Sequence, residues 1–177
     1  MSEPTVPPIE TVPEFLVHAL ELEHESAERY RLLAETMTVH HNTEVADLFR
    51  RMADLSDAHA SQVIARAEGL RLPEIAPWDF KWNCPGSPET PCDEVEVTYL
   101  MTPLQALQLA LHNEIRGRTF YAHVASSSPS PPVRAIAGEM AEEEAEHVEL
   151  LKEWIAKETF SAAAEIPTDL DPPNLPG

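Results

Sequence analysis

Apolar residues recur at three- and four-residue spacing in four long stretches of the chain, a pattern typical of amphipathic helices. The spacing predicts helices at about residues 12–38, 43–68, 103–125 and 132–158. Thr11 with Glu14, and Thr102 with Gln105, have the spacing of a capping box, in which each end of the pair satisfies a free backbone N–H group at the start of a helix. The pattern and the caps together predict a protein built from four helices.

The segment between the second and third predicted helices, residues 70–101, has a different composition. Five prolines interrupt it and exclude a long helix: Pro73, Pro77, Pro85, Pro88 and Pro91. So long a connection joins helices that are not antiparallel neighbours, and ferritin-like bundles have one such crossover. The sequence therefore predicts an all-α, ferritin-like four-helix bundle over residues 11–159. An N-terminal arm, residues 1–10, precedes it, and a Pro- and Asp-rich tail, residues 160–177, follows it.

The crossover also contains most of the tryptophan and both cysteines of the chain. Trp78, Phe80 and Trp82 are predicted to anchor the crossover on the bundle, with a ligand-binding aromatic patch as the alternative. Cys84 and Cys92 fit neither a Cys-x-x-Cys redox pair nor a zinc knuckle. We expect two free thiols in a reducing cytosol, with a loop-closing disulfide as the alternative.

Composition agrees with a helical domain and narrows the choice of partner. The 177 residues suffice for one domain with a core, and 5 glycines with 6% aromatic residues disfavour a β-sandwich. A net charge of -19 excludes nucleic acid as a favoured partner, because its phosphates would be repelled. The sequence has neither a secretory signal nor the roughly 20 consecutive apolar residues of a membrane span. It therefore predicts a soluble, cytoplasmic protein.

One pattern occurs twice along the chain. In the first half Glu23 is followed two helical turns later by Tyr30, and in the second half Glu114 is followed at the same offset by Tyr121. All four residues fall on the inward faces of their helices. An unpaired buried carboxylate costs several kcal/mol, so two of them in equivalent places indicate a shared purpose.

The helix after each Glu–Tyr pair carries an inward histidine. His59 and His147 each follow a Met-Ala dipeptide by the same distance. In the second half Glu144 precedes His147 by one helical turn, so both side chains project from one face. The equivalent residue in the first half is Ser56 rather than a glutamate.

A glutamate on one helix and Glu-x-x-His on the next, in duplicate, is how a four-helix bundle builds a carboxylate-bridged two-metal centre. Carboxylate oxygen and imidazole nitrogen suit iron, manganese and zinc. Tyr30 and Tyr121 are either core filler or hydrogen-bond partners of ligand carboxylates, or redox-active phenols. The predicted metal ligands are Glu23, His59, Glu114, Glu144 and His147, with Ser56 at the position of a missing sixth ligand. The remaining histidines are predicted to lie on the surface: His18, His24, His40, His41, His112 and His123.

At Glu23, Glu114, Glu144 and His147 the chain resembles the rubrerythrin-like branch of the ferritin-like superfamily, over roughly residues 12–158. The resemblance implies two iron ions, with manganese, zinc or a single metal as alternatives. It also implies an oxidoreductase of the peroxidase or ferroxidase type, acting with oxygen, peroxide or ferrous iron. Iron storage by a ferritin-like shell and a metal-free structural bundle are the competing functions. A homodimer is the expected assembly.

Three departures from the family pattern shape this expectation. Two cysteines cannot supply the four thiolates of a rubredoxin-type iron site, so electrons would come from a separate donor protein or from the substrate metal. Gly117 lies one turn after Glu114, where rubrerythrins proper carry an additional glutamate. Ser56 replaces a glutamate that usually bridges the two metals in this family, which predicts an asymmetric site with one weaker metal.

Overall fold

A computed structural model describes residues 6–82 and 97–164 of the chain. Four α-helices account for most of these residues, and a short 3₁₀ turn, Pro77–Asp79, lies in the crossover. The helices are α1 Val12–Val39, α2 Thr43–Arg66, α3 Pro103–Ser127 and α4 Pro131–Ala164.

The helices form two hairpins. The closest packing is between α1 and α2 and between α3 and α4, and α1 also contacts α3 and α4. Residues 40–42 join the first hairpin and residues 128–130 join the second, so each pair is antiparallel. The described part of the chain contains no strand. The predicted all-α, ferritin-like four-helix bundle is confirmed. No helix in the described ranges combines the length and the apolar character that crossing a membrane requires.

The helix starts follow from local side-chain chemistry. Thr11 Oγ1 accepts from the backbone N–H of Glu14, which caps α1. At α3 the capping box is complete, because Thr102 Oγ1 accepts from Gln105 N–H while Gln105 Oε1 accepts from Thr102 N–H. Each bond satisfies a backbone donor that the helix itself leaves free.

Two apolar clusters fill the bundle and leave a polar layer between them. One cluster centres on Met37, Phe49, Leu107 and Leu151. The other centres on Phe15, Leu22, Phe120 and Val133. Along every helix the two clusters are separated by about two turns that contain buried polar residues, namely Glu23, Ser26, Ser56, Asn113, Glu114, Glu144 and His147. This layer carries the candidate site.

Some boundaries differ from the expected ones. The fourth helix continues to Ala164, although residues 160–164 were expected to belong to the tail. Alanine has the highest helix propensity, and the first proline after this run is Pro167, so nothing stops the helix earlier. The second helix ends at Arg66 and the third continues to Ser127. The rest of the tail and both cysteines lie outside the described residues.

His18 is fully buried, so its predicted surface position is wrong. Its Nδ1–H donates to the Glu14 carbonyl oxygen at 2.9 Å, and its Nε2 accepts from the backbone N–H of Lys81 at 2.9 Å. Phe80 and Trp82 contact its ring from the crossover at centroid distances of 4.9 and 5.1 Å. The periodicity of α1 alone gives no sign of this, because the crossover supplies the covering surface.

The predicted aromatic anchor is correct for two of its three members. Phe80 and Trp82 stack with ring centroids 5.1 Å apart, and Trp82 is buried. Trp78 is 83% exposed, so its predicted anchoring role is wrong. It belongs to the 3₁₀ turn, which holds it away from the bundle.

Burial lowers the pKa of His18, although the bond to the Glu14 carbonyl offsets part of this effect. A second proton on Nε2 would remove the acceptor of the Lys81 N–H and place a charge among aromatic rings. The unfolded chain therefore binds this proton more tightly than the folded chain. Stability is complete above the unfolded pKa of about 6.5 and decreases as the pH falls towards the lower folded value.

We expect His18→Gln to flatten the dependence of the unfolding free energy on pH below about 6.5. Each unit by which the pKa is lowered corresponds to about 1.4 kcal/mol of that dependence. Urea denaturation at a series of pH values measures it. His24→Gln changes an exposed histidine of the same helix and serves as the control. An unchanged pH profile in His18→Gln would show that this residue is not the source.

Candidate metal centre

The five predicted ligands meet in the polar layer of the bundle. Two groups of side chains each have one ligand atom per member within 4.8 Å of the others. The first group is Glu23, His59 and Glu144, and the second is Glu114, Glu144 and His147. Glu144 belongs to both groups, so one carboxylate lies where it can be shared by two cations.

Both histidines face carboxylates across the bundle. His59 Nδ1 lies 3.7 Å from Glu23 Oε2, and His147 Nδ1 lies 3.2 Å from Glu114 Oε2. The two imidazole rings stack with centroids 5.3 Å apart and an angle of 12° between their planes. The histidines therefore line one side of the layer, each with a nitrogen directed to the glutamate of its own half.

The two tyrosines link the halves. Tyr30 O–H donates to Glu114 Oε1, and Tyr121 O–H donates to Glu23 Oε1 at 3.3 Å. Each phenol thus holds the carboxylate of the opposite half, which fixes that carboxylate's orientation. These bonds agree with the hydrogen-bonding alternative for the tyrosines.

The carboxylates of this layer are buried close to one another, where their negative charges are unfavourable. Burial raises the pKa of Glu23 despite its contact with His59. Burial also opposes ionisation of Glu114, but hydrogen bonds with three neighbours, Glu144, His147 and Tyr30, outweigh it and hold its pKa below the usual value. Ligand oxygens of Glu114 and Glu144 lie within 4.8 Å of each other, so two charges there repel. A divalent cation would relieve the repulsion.

His59 shows the same need for a cation. Its pKa is raised mainly by the interaction with Glu23, although burial opposes this. Its Nδ1 is buried and has no hydrogen-bond partner among the described residues. Its Nε2 lies 3.7 Å from Glu143 Oε2, a carboxylate that can accept the second ring N–H and orient the ring. The donor set and the orphaned nitrogen together fit a bound metal ion.

The position of the missing ligand is occupied by a hydrogen-bonded serine pair. Ser56 Oγ donates to Ser26 Oγ at 3.2 Å, and both residues are buried. The equivalent residues of the second half are Glu144 and Gly117. A Cβ atom at Gly117 would lie 3.6 Å from Glu144 Oε2, an ordinary van der Waals distance, so Gly117 lies directly against the glutamate. The first half therefore has two serines where the second half has a glutamate and a glycine. The departures at Ser56 and Gly117 are two parts of this one difference between the halves.

Sequence reasoning missed two residues beside these ligands. Ser26 lies one helical turn after Glu23, and its equivalence to Gly117 could have been read from the duplicated pattern. Glu143 precedes Glu144 and approaches His59 from α4, which no periodicity within one helix reveals. Both lie beside the first-half ligands, where the duplication is imperfect.

Comparisons with known proteins agree with this geometry. The rubrerythrin family model matches residues 14–79 and 105–168. The chain is similar to a conserved, uncharacterised protein of Magnetospirillum magnetotacticum of known crystal structure. The sequence identity is 42%, the TM-score is 0.70, and the match covers 83% of this chain and 95% of the other. No curated protein sequence matches the chain significantly. The matched segments contain nearly all of the four helices and every predicted ligand, and the chain therefore belongs to the rubrerythrin family of ferritin-like proteins.

Proposed function

We propose that this protein is a non-haem di-metal oxidoreductase, with iron as the favoured metal, acting with oxygen, peroxide or ferrous iron. The observation that carries the proposal is the position of Glu144, which belongs to both ligand groups. A carboxylate shared in this way holds two cations close together, as ferritin-like two-metal centres require. Iron bound there would supply the redox chemistry.

The ligands of the proposed site divide into two sets that share Glu144. Glu114, Glu144 and His147 would hold one ion, and Glu23, His59 and the shared Glu144 would hold the other. Because Ser56 contributes no charge, the ion beside His59 would bind more weakly. Manganese or zinc would suit the same oxygen and nitrogen donors.

The surrounding residues would serve the reaction in two ways. Tyr30 and Tyr121 orient the carboxylates of Glu114 and Glu23, and their hydroxyl protons lie on ligand oxygens, where they can be held or transferred. The apolar clusters on both sides exclude bulk water from the layer, which strengthens every electrostatic interaction inside it. The separate electron donor and the homodimer remain predictions.

Reconstitution with ferrous iron under anaerobic conditions tests the proposal. We expect bound iron, and an absorbance change on adding oxygen or peroxide, in the wild-type protein but not in the Glu144→Ala/His147→Ala variant. Glu142→Ala/Glu146→Ala changes two exposed acids of the same helix and is the matched control. The proposal is wrong if the ligand variant binds and oxidises iron as well as the wild type. It is equally wrong if chelation leaves the melting temperature of the wild type unchanged, because metal bound only by the folded state stabilises it.

A further inference from the structure

Asn113 is a buried amide without a partner. The residue is 2% exposed, and neither Oδ1 nor Nδ2 has a hydrogen-bond partner among the described residues. Leaving such a group unsatisfied costs about 1–3 kcal/mol, so a buried asparagine of this kind calls for a ligand. It directly precedes the proposed ligand Glu114 in α3 and projects about 100° around the helix axis from it.

The duplicated pattern locates this amide. Asn113 is equivalent to Leu22, and Ser26 is equivalent to Gly117. Leu22 Cδ2 lies 3.9 Å from the position that a Cβ atom of Gly117 would take. The reciprocal tyrosine bonds show that the two halves face each other in the same way. The same relation between the halves predicts that Asn113 lies on the side of α3 that faces Ser26.

The duplicated pattern therefore pairs three polar side chains with different residues at the equivalent positions: Ser26 with Gly117, Ser56 with Glu144 and Asn113 with Leu22. We call Ser26, Ser56 and Asn113 the polar niche. The serines are joined by their 3.2 Å hydrogen bond, and all three residues are at least nine-tenths buried. The niche offers hydroxyl and amide donors at the place where a protein carboxylate is missing. Donors of this kind stabilise an anion.

Charge balance points to the same ligand. Two divalent ions bring four positive charges, and Glu23, Glu114 and Glu144 supply three negative ones. One positive charge would remain uncompensated in a buried layer, where an unpaired charge is costly. A single exogenous monoanion would remove this excess.

We propose that the polar niche binds a small monoanionic carboxylate of about the size of formate, which replaces the missing protein carboxylate beside the metals. The inference rests on the proposed function, because without the cations the three glutamates would repel an anion. It adds a ligand class to the site and assigns Ser26, Ser56 and Asn113 to its recognition.

Binding of ¹³C-formate to the zinc-loaded protein, followed by NMR, tests the inference, with the zinc content measured on the same sample. Zinc is redox-silent, so the result does not depend on turnover. We expect saturable binding of one formate per chain in the zinc-loaded protein and none in the metal-free protein. Ser56→Ala and Asn113→Leu should each weaken binding about ten-fold or more, since each removes a hydrogen bond to a charged ligand. Ser61→Ala, an exposed serine of α2, is the control.

A third variant completes the design. Ser26→Gly/Ser56→Glu supplies a protein carboxylate and should abolish formate binding while the zinc content is retained. If zinc binds but formate does not, or if the niche variants bind formate as well as the wild type, the inference is overturned and the proposed function stands. If zinc does not bind, the inference fails, whereas the proposed function is decided by the reconstitution with iron. Because Ser56→Ala and Asn113→Leu alter different helices, misfolding of one, seen by circular dichroism, leaves the other as the test.

Discussion

Replacing Glu144 with alanine is expected to abolish binding of both metal ions, whereas replacing Glu23 or Glu114 should remove only one. The reason is that Glu144 is common to both ligand groups and the other two glutamates each belong to one. Each ion at about 100 times its dissociation constant stabilises the fold by about 2.7 kcal/mol, and Glu144→Ala should lose the increments of both ions. Equilibrium dialysis with elemental analysis gives the metal count, and thermal unfolding with and without metal gives the increment.

The matched control for this substitution is Glu142→Ala, which removes an exposed carboxylate from the same helix. It should retain both ions. Glu144→Gln keeps the shape of the side chain and removes its charge, so it separates loss of coordination from a packing defect. Retention of one ion per chain in Glu144→Ala would contradict the shared role of this carboxylate.

Exchanging the serine pair for the pair found in the second half should strengthen the weaker metal position. In Ser26→Gly/Ser56→Glu the first half acquires the equivalents of Gly117 and Glu144. A unit charge at about 4 Å contributes roughly 4 kcal/mol at an effective dielectric constant of 20, and burial of the new carboxylate offsets part of this. We expect the weaker metal to bind at least about ten-fold more tightly, which calorimetric titration with manganese would measure.

The single variants are the controls for this exchange. Ser56→Glu alone should gain less, because Ser26 Oγ lies 3.2 Å from Ser56 Oγ and would occupy space that the longer side chain needs. Ser26→Gly alone should bind manganese no more tightly than the wild type. It should lose about 1–3 kcal/mol of stability, because it introduces a glycine within a helix and leaves the buried Ser56 hydroxyl without its acceptor. Equal metal affinity in the double variant and the wild type would refute the idea that Ser56 weakens the site.

Much of the fold was predictable because its determinants are local. The capping residues Thr11 and Thr102 start their helices as expected, and the long, proline-rich connection predicted a crossover. The duplication also brought the predicted ligands to one layer, since residues at equivalent places on paired helices must meet. Helix caps, prolines, the periodicity of each helix and the internal duplication were sufficient to predict these features.

The features that were not predictable depend on contacts between distant segments. His18 is buried only because Phe80 and Trp82 return from the crossover to cover it. Trp78 belongs to the same aromatic cluster of the sequence as Trp82, but it lies in a turn that leaves it exposed. Ser56 is hydrogen-bonded to Ser26 on a different helix. The sequence showed only that Ser56 cannot supply the expected carboxylate, and it did not show which residue Ser56 contacts. Contacts with distant segments, rather than helix propensity, determine the burial and the hydrogen bonds of such residues.

Crystals grown with iron and measured on both sides of the iron absorption edge test the central claim most directly, namely that Glu144 is shared by two metals. The account predicts two anomalous peaks per chain, both at bonding distance from Glu144, with the lower occupancy at the position beside His59 and Ser56. A single peak, or two peaks of which only one contacts Glu144, would contradict it.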